Sequence, residues 1–126
     1  EKWLVDMANF YSLPIGIYRV TTISGDSQSG YWQSGDYLPR VVRACCEMQA
    51  IPGALFDINC LPVDFVAKAI VVLALNETQK IAIRNIVNPE TRPWKFASNS
   101  LKNLLPHLQI VPRSEWLQMA EQRSNT

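Results

Sequence analysis

The chain has 126 residues and a mass of 14.3 kDa, one domain's worth and too short for a complete large nucleotide-dependent enzyme. A hydrophobic fraction of 48% and a charged fraction of 18% exclude a disordered arm. Twelve Lys+Arg against eleven Asp+Glu leave a net charge of +1, so no long-range field recruits nucleic acid or an anionic membrane.

Residues 1–12 read as a helix, with Trp3, Met7 and Phe10 on one stripe and Leu4 and Tyr11 beside it. Its start carries no capping residue, which points to a chain cut from something longer. Pro14 is expected to end it. Ile15 to Val20 reads as a strand, and residues 21–35 as a long loop whose two aromatics, Tyr31 and Trp32, suit a binding surface. Leu38, Val41, Val42 and Cys45 predict a helix from about Asp36 to Gln49, with Asp36 as N-cap. Ile51-Pro52-Gly53 reads as a break and Ala54 to Cys60 as extended. Leu61-Pro62-Val63-Asp64 opens a helix ending near Asn76, apolar nearly all round and therefore expected to be buried.

Lys80 to Asn88 is strand-like, with Ile81, Ile83 and Val87 facing the core in part, and Pro93-Trp94 lies in a loop. Ser98 or Ser100 is expected to cap a short helix through Leu105. Gln109-Ile110-Val111 reads as a short strand, and Ser114 as the cap of a final helix carrying Trp116, Leu117 and Met119. Helices alternating with strands argue α/β with parallel pairing. With only three or four strands visible, the chain looks like one side of such a sheet.

The residues themselves carry little chemistry. Cys45, Cys46 and Cys60 form no CxxC pair, so buried thiols in a reducing, cytoplasmic setting are expected, with no metal site. The five glycines make no dinucleotide or phosphate loop. No tyrosine has a lysine four residues on, so no catalytic residue is assigned. His107 reads as a surface or helix-end residue, Asp26 and Asp36 as caps, and Asp64 as a helix-start residue. The longest apolar stretch, Val63 to Leu75, is broken by Lys68 and too short to span a bilayer.

The order of local sequences resembles a known family. Leu13 to Arg19 is similar to the strand after the catalytic helix of extended short-chain dehydrogenases/reductases. Ile23-Ser24-Gly25-Asp26-Ser27-Gln28-Ser29-Gly30 resembles the segment that follows in the thioester reductase domains of nonribosomal peptide synthetases, polyketide synthases and carboxylic acid reductases. Asp36-Tyr37-Leu38-Pro39-Arg40, Leu61 to Ala67 and Ile110 to Trp116 resemble later elements of the same domains, in the same order.

The resemblance implies an α/β fold: the C-terminal portion of a Rossmann-like extended reductase, spanning residues 1–126 and lacking the N-terminal nucleotide-binding half. It implies that the parent uses NADPH or NADH to release a carrier-protein-bound acyl or peptidyl thioester as aldehyde or alcohol. The partners implied are an acyl or peptidyl carrier protein with its phosphopantetheine arm and the N-terminal half, whose catalytic Tyr and Lys lie ahead of Glu1. Arg19, Val20, Thr21, Thr22 and Ile23 are the implied cofactor edge. Gly25, Asp26, Tyr31, Trp32, Tyr37 and Arg40 are the implied substrate side. The family usually carries Pro-Gly after the strand arginine, where this chain has Val20-Thr21. That departure supports one alternative, a non-catalytic module that binds a carrier protein, with Arg40 and Arg43 at its contact face; part of another extended reductase or epimerase is a further alternative, against which Gly25 to Gly30 and Ile110 to Trp116 weigh.

Overall fold

The structure is a computed structural model and describes residues 1–124. Its elements are, in chain order, α1 (Lys2–Tyr11), β1 (Ile15–Val20), β2 (Thr22–Ser24), α2 (Tyr37–Met48), β3 (Ala50–Pro52), β4 (Asp57–Ile58) and β5 (Cys60–Pro62). They continue with α3 (Val63–Leu75), β6 (Ile81–Ile86), β7 (Arg92–Pro93), α4 (Trp94–Leu104), β8 (Gln109–Val111) and α5 (Arg113–Ser124). The class is α/β, and three of the four strand pairs are parallel: β1–β6, β2–β5 and β3–β8; β4–β7 is antiparallel. The single domain expected from length divides into two compact units, each built from two separate stretches of chain.

The first unit takes residues 1–31 and 59–89. Its centre is the β1–β6 pair, in register from Ile15 opposite Ile81 to Val20 opposite Ile86. Leu61, Val66 and Ile86 form its core, with Tyr18, Val20, Ala69, Ile70 and Leu73 packed against it. The supposed loop at 21–35 begins as a strand, because Thr22-Ile23-Ser24 finds its partner in Cys60-Leu61-Pro62, far along the chain. The same pairing makes Leu61-Pro62 strand, so the helix starts at Val63 with Asp64 in its first turn.

Two burial expectations, for α3 and β6, are corrected in this unit. In α1 Trp3 is 70% and Phe10 80% exposed, Met7 is half-buried, and Ala8 is the buried residue. In α3 only Val66 is fully buried, while Phe65, Val71, Val72 and Leu75 are exposed. In β6 the buried residues are Ala82 and Ile86, on the opposite parity from the one expected, and Ile83 and Val87 are exposed. The helix pattern identified apolar faces correctly but not what covers them. α1 closes on Ser12, left-handed at φ 56, two residues before Pro14.

The second unit takes residues 32–58 and those from Glu90 on. Leu38, Val41, Cys45, Ala50, Ile51, Trp94, Leu108 and Trp116 form its core. The expected break at Ile51-Pro52-Gly53 is instead the buried strand β3, paired with β8. Gln109 N donates to Gln49 O at 3.2 Å on the β8 side. By strand alternation the carbonyls of Ala50 and Pro52 face the other edge. There two indoles replace a neighbouring strand: Trp116 Nε1 donates to Ala50 O at 3.0 Å and Trp94 Nε1 to Pro52 O at 2.7 Å. Pro52 is tolerated because its missing N–H also falls on that edge. Trp94 therefore begins α4 rather than sitting in a loop, and Ser98 and Ser100 bond back to carbonyls within the helix instead of capping it. Ser114 likewise lies inside α5.

Candidate functional site

Parallel α/β sheets place ligands beyond the carboxyl ends of their strands, where turns diverge and backbone groups are free. In the first unit β1 and β6 run side by side to that end. The segment Arg19–Ile23 leaves it.

Each residue of this segment has a definite setting. Arg19 is exposed and paired, its Nε donating to Glu1 Oε1 at 2.8 Å and its Nη2 bridging to Glu1 Oε2. The pair holds the Glu1 carboxyl below the usual range and raises Arg19. Val20 turns inward onto Leu61, Val66 and Ile86. Thr21 N donates to Ile86 O at 3.1 Å, which extends the ladder by one bond. Thr22 and Ile23 are exposed on β2 and offer a hydroxyl and an apolar side chain to the outside.

Thr21 has its hydroxyl 2.9 Å from Asn59 O and 2.8 Å from Asn59 Oδ1, so its one proton is shared between two acceptors. Asn59 Nδ2 donates to Asn88 O at 2.9 Å, and Asn88 Nδ2 donates to Cys60 O at 3.1 Å. Threonine and two asparagines thus tie three passages of chain together where β1 and β6 end and β5 begins. Among the described residues only Ser12, Gln49 and Gly30 have positive φ. The backbone at Thr21 therefore does not demand glycine.

The loop after β2 closes on itself. Asp26 N donates to Tyr31 O and Gly30 N to Asp26 O, both at 2.9 Å, with Gly30 at φ +70 where glycine is unstrained. Asp26 Oδ1 accepts from Ser29 N, Ser29 Oγ and Gln28 N, and these bonds hold its carboxyl below the usual range. Asp64, at the start of α3, grips the loop through Ser27: its oxygens accept Ser27 N at 3.0 Å and Ser27 Oγ at 2.8 Å, and its pKa is lowered too. The nearby charge of Asp64 opposes the lowering at Asp26 in part. Gly25 is half-buried and Tyr31 is 74% exposed.

The remaining substrate-side candidates belong to the second unit. Trp32 packs on its core and donates Nε1 to Asp36 Oδ2 at 3.2 Å. Asp36 thus precedes α2 but makes no side-chain cap. Tyr37 is exposed and its ring meets Phe56 at 5.1 Å, which in turn meets Trp94 at 5.4 Å. Arg40 and Arg43 are exposed on α2. The six substrate candidates therefore fall three to a unit.

Sequence reading missed Asn59, Asn88 and Ser27. Each is a small polar residue near a strand or helix end, which marks a turn; only the parallel pairing brings them to Thr21 and Asp64. Among the described residues no cluster of three His, Cys, Asp or Glu side chains forms a metal site, and no helix is long and apolar enough to cross a membrane.

An α/β unit with a parallel pair opening onto a polar carboxyl edge has the arrangement in which open α/β sheets bind ligands. Residues 1–70 match the family described as male sterility protein, an NAD-binding family, and the chain belongs to it. It is 26% identical over 97% of its length to a linear gramicidin synthase of Brevibacillus parabrevis, and 30% identical over 93% to adenylate-forming reductase Nps10 of Heterobasidion annosum. It spans 2% and 10% of those two proteins. The terminal R domain of the myxalamid PKS-NRPS biosynthetic pathway superposes on 98% of the chain with a TM-score of 0.81 at 26% identity, the chain covering 32% of that domain. The fold is that of the C-terminal portion of such reductase domains.

Proposed function

We propose that residues 1–126 are the C-terminal, substrate-binding portion of an NAD(P)H-dependent thioester reductase domain. The whole domain releases a carrier-protein-bound acyl or peptidyl chain as aldehyde or alcohol. The observation that carries this reading is the match of nearly the whole chain to a terminal reductase domain, together with the polar carboxyl edge at Arg19–Ile23. The exposed apolar faces of α1 and α3 support a missing half that covers them.

A nicotinamide nucleotide bound at this edge would supply the hydride that replaces the thioester sulfur at the acyl carbon, so that the carbon–sulfur bond breaks to an aldehyde and a phosphopantetheine thiolate, which takes its proton from solvent. Fit to the nucleotide rests on the edge itself: Val20 and Thr21 turn their side chains into the protein, which leaves backbone and the Thr22 and Ile23 side chains to face it. Arg19 is already neutralised by Glu1 and acts as a strut rather than a free anion site. The closed loop with Gly25, Asp26 and Tyr31 lies directly after that edge and would line the acyl chain. Trp32, Tyr37 and Arg40, in the second unit, are named as substrate-side residues by the family resemblance alone. Arg40 and Arg43 suit the acidic surface or phosphate of a carrier protein.

The test is product analysis with the longer protein that contains this segment. An acyl carrier protein loaded with a thioester, plus NADPH or NADH, should yield one free thiol for each nucleotide oxidised when the product is an aldehyde trapped as a hydrazone, or for each two when it is the alcohol. Thiol release without nucleotide oxidation would overturn the reading, because hydrolysis then replaces reduction.

A further inference from the structure

We infer that Thr21, Asn59 and Asn88 form a positioning device that sets the cofactor edge in place of a glycine turn; the inference rests on the assignment of Arg19–Ile23 as that edge. A glycine after a strand lets the backbone come close to a ligand but leaves the turn loose. Here Val20 anchors the turn on the apolar core, and Thr21 fixes it through the shared hydroxyl proton on Asn59.

Asn59 is itself held by Asn88, and Asn88 by Cys60 O, the residue after Asn59, so the hydrogen-bond chain returns to its start. All three side chains are partly buried, where such bonds resist exchange with water. The β-branched pair does not block the edge, because both side chains point into the protein. It removes freedom from the turn, so less order has to be gained when a nucleotide binds. The side chains of Thr21, Asn59 and Asn88 spend their hydrogen bonds on one another and on backbone, so they act by positioning the turn. Their effect therefore falls on nucleotide binding and leaves the thioester contacts alone.

Two arms test this. In the isolated chain, amide hydrogen exchange of residues 19–23 should quicken about tenfold in Thr21→Val, the loss of one hydroxyl bond, and return to the parent rate in Thr21→Ser. In the longer protein, Thr21→Val should raise the KM for NADPH about tenfold while the KM for the acyl thioester stays within about twofold, with Thr21→Ser near the parent. Asn59→Asp, which keeps the acceptors for Thr21 but loses the donor to Asn88, should fall between them in both arms. Unchanged exchange in Thr21→Val shows that the bonds do not order the turn and overturns the proposal. Quickened exchange with an unchanged KM for NADPH in an active enzyme also overturns it, since the bracket is then structural only. Failure of the parent protein to use nucleotide at all would instead strike the functional assignment and leave the exchange arm to decide whether the bracket orders the turn.

Discussion

At the scale of single residues, the second unit turns on groups that bury polar atoms against one strand. Trp116 and Trp94 supply indole donors to the outer carbonyls of β3. Trp116→Phe keeps most of the ring but removes the donor to Ala50 O in the core, and is expected to cost about 1–3 kcal/mol in urea unfolding. A loss well under that would mean water replaces the indole. Cys45 is fully buried in the same core, and burial, with Cys46 beside it, pushes its thiol up to about 11. At neutral pH it should resist thiol reagents that reach Cys46 and Cys60. Because the folded value lies above the ordinary value of 9.0, this group's contribution to stability is complete below pH 9 and is lost as pH rises towards 11. Denaturant midpoints measured from pH 8 to 11 should fall over that window, and Cys45→Ala should flatten that part of the fall.

Among the elements, the helices were legible and their surroundings were not. The spacing of Leu38, Val41 and Cys45 identified α2 and its buried stripe, because its cover lies in the same unit. The stripe of α1 and the all-round apolar pattern of α3 are as clear in the sequence, yet Trp3, Phe10, Val72 and Leu75 are exposed. Short strands were the other difficulty. β2, β3 and β5 have three residues each, too few for a period, and two of them contain proline; their partners lie far along the sequence. The Thr21–Asn59–Asn88 bracket depends on that pairing and so was equally hidden, whereas Arg19–Ile23 was named by the family resemblance and not by any pattern of its own residues. The exposed face of α3 makes its own prediction. Replacing Val72 and Leu75 by lysine should shift the thermal midpoint of the isolated chain little, since exposed sites change stability by about 0.5 kcal/mol or less. The same change should weaken binding of an apolar dye. If the proposed nucleotide-binding half covers this face, the same change in the longer protein should destabilise it markedly by burying charge.

For the whole molecule, 126 residues and near-neutral charge describe one small domain's worth of chain. The structure divides them into two units, and the likeness to terminal reductase domains gives them the fold of the C-terminal portion of such a domain. The central claim is that these residues complete a nucleotide-dependent thioester reductase without performing its chemistry alone. The most direct measurement follows nicotinamide oxidation with a carrier-bound acyl thioester, comparing the isolated chain with the longer protein that contains it. The account predicts no turnover by the isolated chain and thioester-dependent oxidation of NADPH or NADH by the longer protein. A longer, folded protein that binds neither nucleotide, or that oxidises none in the presence of the thioester, would contradict it.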